Sequence, residues 1–168
     1  MAANPSFDVS TGCDLQEVDN AVNQALKEIG QRYDFKGSKC EIEFDRAKAE
    51  IRLFADDDFR MDALVDVLRT RLIKRNVPVK NLTFKDRDPA SHGAVRQTVA
   101  LTQGLSSEVA KRVVKALKDN KAFRKVTAAI QGDEVRVSSP SKDELQGVIA
   151  FLRAEDFGVE LQFGNFRS

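Results

Sequence analysis

Apolar positions along this chain switch between two periods. Leu15, Val18, Val22, Leu26, Ile29 and Tyr33 recur at spacings of three and four, which predicts one helix with a single apolar stripe. Asp14 suits its N-cap, and Glu17 follows three residues later as in a capping box. A second helix follows "ADDDF", with Met61, Leu64, Val65, Leu68 and Leu72 inward and Lys74 and Arg75 at its C-terminal end. A third opens at Ser106 or Ser107 and buries Val109, Val113, Val114 and Leu117. A fourth is capped by Ser141, with Glu144 three residues on, and buries Leu145, Val148, Ile149 and Leu152.

Between the helices the period falls to two. Phe7 and Val9 alternate with Ser6 and Asp8; Cys40, Ile42 and Phe44 with Glu41 and Glu43; Ile51 and Leu53 with Arg52. Val126, Ala128 and Ile130 alternate with Thr127 and Ala129, and Val135 and Val137 flank Arg136. Each strand has one wet and one apolar face, as in sheets covered by helices on one side. The order is strand, helix, strand, strand, helix, strand, twice over. This predicts an α+β chain of two ferredoxin-like βαββαβ sandwiches in tandem, residues 1–90 and 91–168, with the charged stretch Lys85–Gly93 as linker. Such a fold hosts many functions and decides none.

Composition narrows the field. Hydrophobic residues make up 42% and charged residues 32%, as in a soluble globular protein. Net charge is +1, so bulk charge does not point to nucleic acid. The N-terminus lacks a basic region followed by an apolar run, and no stretch is long and apolar enough for a membrane span, so the cytoplasm is the default compartment and no membrane partner is expected. Cys13 and Cys40 form neither a metal spacing nor a disulfide framework. Cys13 precedes a helix, which either lowers its pKa or leaves it a partly buried, inert thiol.

Catalytic chemistry has little to work with. His92 is the lone histidine and lies in the linker, so no Ser–His–Asp or Cys–His arrangement can be built. Neither a catalytic residue nor a cofactor is expected. Asp56–Asp58 is the densest carboxylate run, and capping explains it more simply than a metal. Phosphate-cradling glycine loops are absent. In "TQGLSSE", Gly104 precedes a helix N-terminus that either holds an anion or is simply capped by serine. The most distinctive feature is cationic. From Glu108 to Lys125 stand Lys111, Arg112, Lys115, Lys118, Lys121, Arg124 and Lys125 against only Glu108 and Asp119. Lys111, Lys115 and Lys118 share one helix face, which either collects phosphates or is solvated. The open sheet faces carry few aromatics: Arg96, Thr98, Thr127, Ala129, Arg136 and Ser138 in the second unit, and Glu41, Glu43, Arg52 and Phe54 in the first. Base stacking of the usual RNA-recognition kind is therefore disfavoured, but Arg96 and Arg136 could stack on a purine or fork onto a phosphate. "RLIKR" fits R-x-x-x-R but no D-x-S-x-x-G follows it, and "RAED" fits R-x-x-D, which chance alone supplies, so neither counts as a ligand motif.

Longer stretches carry a resemblance. "PSFDVS", "DLQEVDNAVNQALKEI", "RYDFKGSKCEIEF", "AVRQTVALTQGLSSEVAKRVVKALKDNK", "QGDEVRVSS", "KDELQGVI" and "LQFGNFRS" occur collinearly and resemble the YajQ family of bacterial proteins. The resemblance implies two ferredoxin-like domains that exchange their N-terminal strands, residues 6–10 and 94–101. Arg96 would then join the sheet bearing Glu41 and Glu43, and Asp8 the one bearing Arg136. It further implies a non-catalytic nucleotide-binding protein and an effector of cyclic di-GMP; the alternative is a module for RNA, tRNA or DNA, for which the residues themselves offer the Lys111–Lys125 face. Candidate partners are an anionic purine nucleotide, nucleic acid and a regulatory protein. Candidate nucleotide-binding residues are Arg96, Gln97, Arg136, Lys111, Lys115, Lys118 and Lys36. The chain departs from the family's usual pattern at Ser139–Pro140, where relatives often carry Gly-Lys, and at Ser91–His92.

Overall fold

The computed structural model of the protein describes residues 3–168. In chain order the elements are β1 (Ser6–Ser10), α1 (Leu15–Gln31), β2 (Glu41–Asp45), β3 (Glu50–Ala55), α2 (Asp58–Lys74), β4 (Leu82–Phe84), β5 (Asp88–Pro89), β6 (Val95–Leu101), α3 (Ser107–Lys118), β7 (Thr127–Gln131), β8 (Glu134–Ser138), α4 (Lys142–Ala154) and β9 (Gln162–Arg167). Contacts divide them into two compact units. One is Cys13–Thr102; the other is the N-terminal segment through Gly12 together with Gln103–Ser168.

In the unit Cys13–Thr102 the sheet order is β2-β3-β6-β4, with β5 also paired to β6. In the other unit the order is β7-β8-β1-β9. Both are the antiparallel sheet of a βαββαβ sandwich, each completed by the strand that precedes the other repeat. Thus β1 pairs with β8, Asp8 opposite Arg136, and β6 pairs with β3, Arg96 opposite Phe54.

Local chemistry sets the helices. Gln16 N–H and Glu17 N–H donate to Asp14 Oδ1, and α1 buries Val18, Ala21, Val22 and Ala25. Asp57 caps α2 through Arg60 N–H at 2.7 Å, and α2 buries Met61, Leu64, Val65, Val67, Leu68 and Leu72. Ser106 and Ser141 cap α3 and α4 through Val109 N–H and Glu144 N–H. α1 and α2 are tied by Arg71 Nη2 to Glu28 Oε1 at 2.7 Å. Three positions of the predicted apolar stripes differ, and one of them, Leu26 on α1, is 38% exposed. Tyr33 lies past the end of α1 in a single 3-10 turn and is 87% exposed, because Arg32 is extended and the turn sends Phe35 into the core instead. Ile130 is 43% exposed, because β7 is the outermost strand of its sheet.

The charged stretch Lys85–Gly93 is itself folded. Lys85 N–H donates to Thr98 O, Asp88 and Pro89 pair with Arg96 and Val95, and Ala90 N–H donates to Ala94 O. Arg87 anchors the stretch by donating to Gln97 Oε1 and pairing with Asp58 and Asp62 of α2. The chain reverses at His92 and Gly93, both with left-handed backbone.

Candidate functional site

The open face of the β2-β3-β6 sheet is built by parity. On each strand alternate residues point away from the helices, and register aligns them in rows. Glu41, Phe54 and Arg96 form one row; Glu43, Arg52 and Thr98 form the next. These rows line a depression of about 670 Å³ with Lys39, Cys40, Glu41, Glu43, Arg52, Leu53, Phe54 and Arg96 at its walls. The Arg96 guanidinium lies over the Phe54 ring, 5.5 Å from its centroid. Arg52 is held by Glu43 at 2.9 Å, Glu50 at 3.1 Å and Asp45 at 3.4 Å. Among the described residues, Arg96 and Lys39 have no carboxylate in ion-pair range, so their positive charge is available to a ligand. A second hollow, about 420 Å³, shares Lys39 and Phe54 and is closed by Asp56, Ser91, His92 and Ala94.

The open face of the other unit is organised differently. Asp8, only 5% exposed, is held by Arg136 Nε at 3.2 Å, Arg167 Nη2 at 2.9 Å and Asn165 Nδ2 at 3.0 Å. Hydrogen bonds from Arg167, then from Asn165 and Arg136, outweigh burial and hold its carboxyl down at about 2.

A family model described as nucleotide-binding protein YajQ-like matches residues 5–167. A "Nucleotide-binding protein" of Trichlorobacter lovleyi is 49% identical over 97% of this chain and 99% of its own length. Proteins of the same name from Syntrophotalea carbinolica and Geobacter metallireducens are each 52% identical, over 98% and 97% of this chain and 99% of their own lengths. The chain belongs to the YajQ family.

The seven candidate residues of this YajQ chain are divided between the two units: Arg96, Gln97 and Lys36 belong to one, and Arg136, Lys111, Lys115 and Lys118 to the other. Arg96 alone lies in the depression. Gln97, its neighbour, points to the other side of the strand, where it accepts from Arg87 Nε and donates to Lys85 O. Lys36 lies beside Tyr33, its Nζ 5.9 Å from the ring, on a separate hollow of about 650 Å³ that also includes Leu26, Ile29 and Phe35. Arg136 belongs to the other unit and faces Asp8. Lys111, Lys115 and Lys118 are exposed on α3, opposite the buried Ala110, Val113 and Leu117, and none meets a carboxylate in ion-pair range among the described residues.

Several weaker candidates have structural duties. Asp56 accepts from Lys39 N–H, Asp57 caps α2 and Asp58 pairs with Arg87; no metal-holding cluster of three acidic, His or Cys residues occurs among the described residues. At Gly104 the α3 N-terminus already faces a carboxylate: a Cβ there would overlap Asp133, whose backbone oxygen accepts Leu105 N–H. An added phosphate would meet that negative charge. Ser139 is fully buried and accepts Ser141 N–H at the entry to α4, so the Ser139–Pro140 departure is a helix-entry feature in this YajQ chain. Burial pushes the Cys13 thiol up, in keeping with an inert role.

Sequence reasoning missed Lys39, Arg167 and Asn165. Lys39 precedes its strand with no distinguishing pattern. Arg167 and Asn165 reach Asp8 only through a bulge in β9, where Asn165 takes a left-handed backbone.

Proposed function

We propose that the chain is a non-catalytic nucleotide-binding protein of the cytoplasm, an effector for a cyclic di-GMP-type messenger, with the purine seated on the open face of β2, β3 and β6. The observation that carries this reading is the Arg96–Phe54 pair beside carboxylates. A purine can stack on an aromatic ring and on a guanidinium plane. A guanine edge offers two N–H donors side by side, and Glu41 or Glu43 can accept them. Lys39 and Arg96 supply charge-assisted bonds to phosphate. The relatives' common name, nucleotide-binding protein, supports the coarser part of this reading. Cys40 at the wall of the depression makes no hydrogen bond to Lys39, Glu41 or Glu43 that would activate it, so ligand binding rather than turnover is the chemistry the depression favours.

Titration calorimetry with cyclic di-GMP tests it. The wild-type chain should release heat at micromolar concentrations. Arg96→Ala should weaken binding by roughly tenfold to a hundredfold, the size expected for losing one charge-assisted contact. Silence from the wild type, or equal affinity in the variant, would remove this reading.

A second reading rests on the exposed, carboxylate-free lysines of α3: a polyanion such as tRNA could lie there. Lys115→Glu with Lys118→Glu should then abolish tRNA retention, and the wild-type affinity should fall steeply with salt. Unchanged retention would leave those lysines merely solvated.

A further inference from the structure

Sheet edges invite foreign strands, and proteins usually guard them with charge, proline, bulges or short, interrupted strands. Among the described residues, three of the four edges are guarded in that way. β2 carries Glu41, Glu43 and Asp45. The β4 and β5 edge is interrupted and ends on Pro89. β9 is bulged and contains Gly164 and the left-handed Asn165. β7 has none of these devices. Its sequence Thr-Ala-Ala-Ile-Gln is uncharged, contains neither proline nor glycine, and pairs with β8 in unbroken register over its whole length.

The surroundings of β7 add two features. Beside the strand lies a hollow of about 280 Å³ lined by Val114, Leu117, Lys118, Val126, Thr127 and Ala128, and Ile130 stands exposed farther along the strand. Lys118 borders the hollow, and Lys121, Arg124 and Lys125 occupy the turn leading into β7, all exposed. The ladder closes at Gln131 opposite Glu134 across a two-residue turn. By the alternation of antiparallel pairing, the N–H and C=O groups of Ala128 and Ile130 then point outward, with no strand beside them.

We propose that β7 is a strand-addition site that receives an extended, acidic segment of a partner protein. The partner's backbone would pair with Ala128 and Ile130, its apolar side chains would fill the hollow and cover Ile130, and its carboxylates would meet the bordering cations. A nucleic acid satisfies the cations but offers no peptide ladder and no match for the apolar hollow. A second copy of β7 offers a ladder but no carboxylate on the strand.

The test uses the full chain and a short capped peptide that alternates isoleucine with glutamate. Binding is followed by amide chemical shifts and hydrogen exchange. The peptide should slow exchange at Ala128 and Ile130 and bind more weakly as salt rises. Ile130→Pro, which removes one outward donor on an edge that tolerates proline, should weaken binding by roughly tenfold or more. Lys118→Glu with Lys125→Glu, confined to the surface, should do the same while leaving the thermal midpoint in place. Saturating peptide without slowed exchange on β7 would overturn the proposal. So would equal binding of a peptide with lysine in place of glutamate, protection of the same amides by an RNA oligonucleotide but not by the peptide, or protection that grows with protein concentration alone.

Discussion

A fragment of residues 13–102 is expected to melt cooperatively, and a fragment of residues 1–90 is not. The two differ in β6. That strand is the centre of its sheet: Ile51 faces Val99, Ala55 faces Val95, and β4 has no other partner. Val95, Val99 and Leu101 are all buried. Burying each such side chain contributes about 1.5–3 kcal/mol, against about 5–15 kcal/mol for a whole domain. Ending the chain at 90 therefore removes enough to unfold it. Among the described residues only β1 could take the vacated place. There its outward Asp8 would lie among Glu41 and Glu43 rather than between Arg136 and Arg167. Circular dichroism against temperature distinguishes the cases. Matching cooperative transitions in the two fragments would show that β6 is dispensable to its sheet.

Asp8→Asn should destabilise the full chain by about 2–3 kcal/mol at neutral pH. Asp8 is nearly inaccessible and accepts from two arginines and an asparagine. Asparagine keeps the shape but loses the charge and sets a donor among donors, leaving Arg136 and Arg167 side by side without their anion. The direction with pH follows from the lowered pKa. The carboxyl is held at about 2 when folded against an ordinary 3.8, so its stabilisation is complete above about pH 4 and is lost as the pH falls towards 2. A shift of that size corresponds to about 2 kcal/mol. Urea midpoints between pH 7 and pH 2.5 should fall more steeply in wild type than in Asp8→Asn. Parallel curves would mean that Asp8 does not carry the acid sensitivity.

Much of this fold is legible locally. Asp14, Ser106 and Ser141 are caps because their neighbours need an acceptor, and nothing distant is required to see it. Strand parity is equally local, and taken strictly it separates Arg96 from Gln97: consecutive residues of a strand cannot line one face. What sequence pattern withholds is which sheet a strand joins. Phe7 and Val9 would suit either apolar interior, and the exchange is implied only by family resemblance. The same limit applies to the partner of Arg136, which only the family resemblance supplies. Its neighbours in sequence do not show that its Nε donates to Asp8, 128 residues away. Ile130 is misread for a related reason, since alternation marks an apolar face without saying whether a helix reaches far enough to cover it.

The exchange of strands also fixes an order of assembly on the ribosome. Once Leu101 and Thr102 have emerged, the Cys13–Thr102 unit has every strand it needs, while β1 still waits for β8 and β9, more than a hundred residues downstream. Residues 6–10 are thus made long before the strands they pair with, and the Cys13–Thr102 unit can be finished while that strand still hangs unpaired.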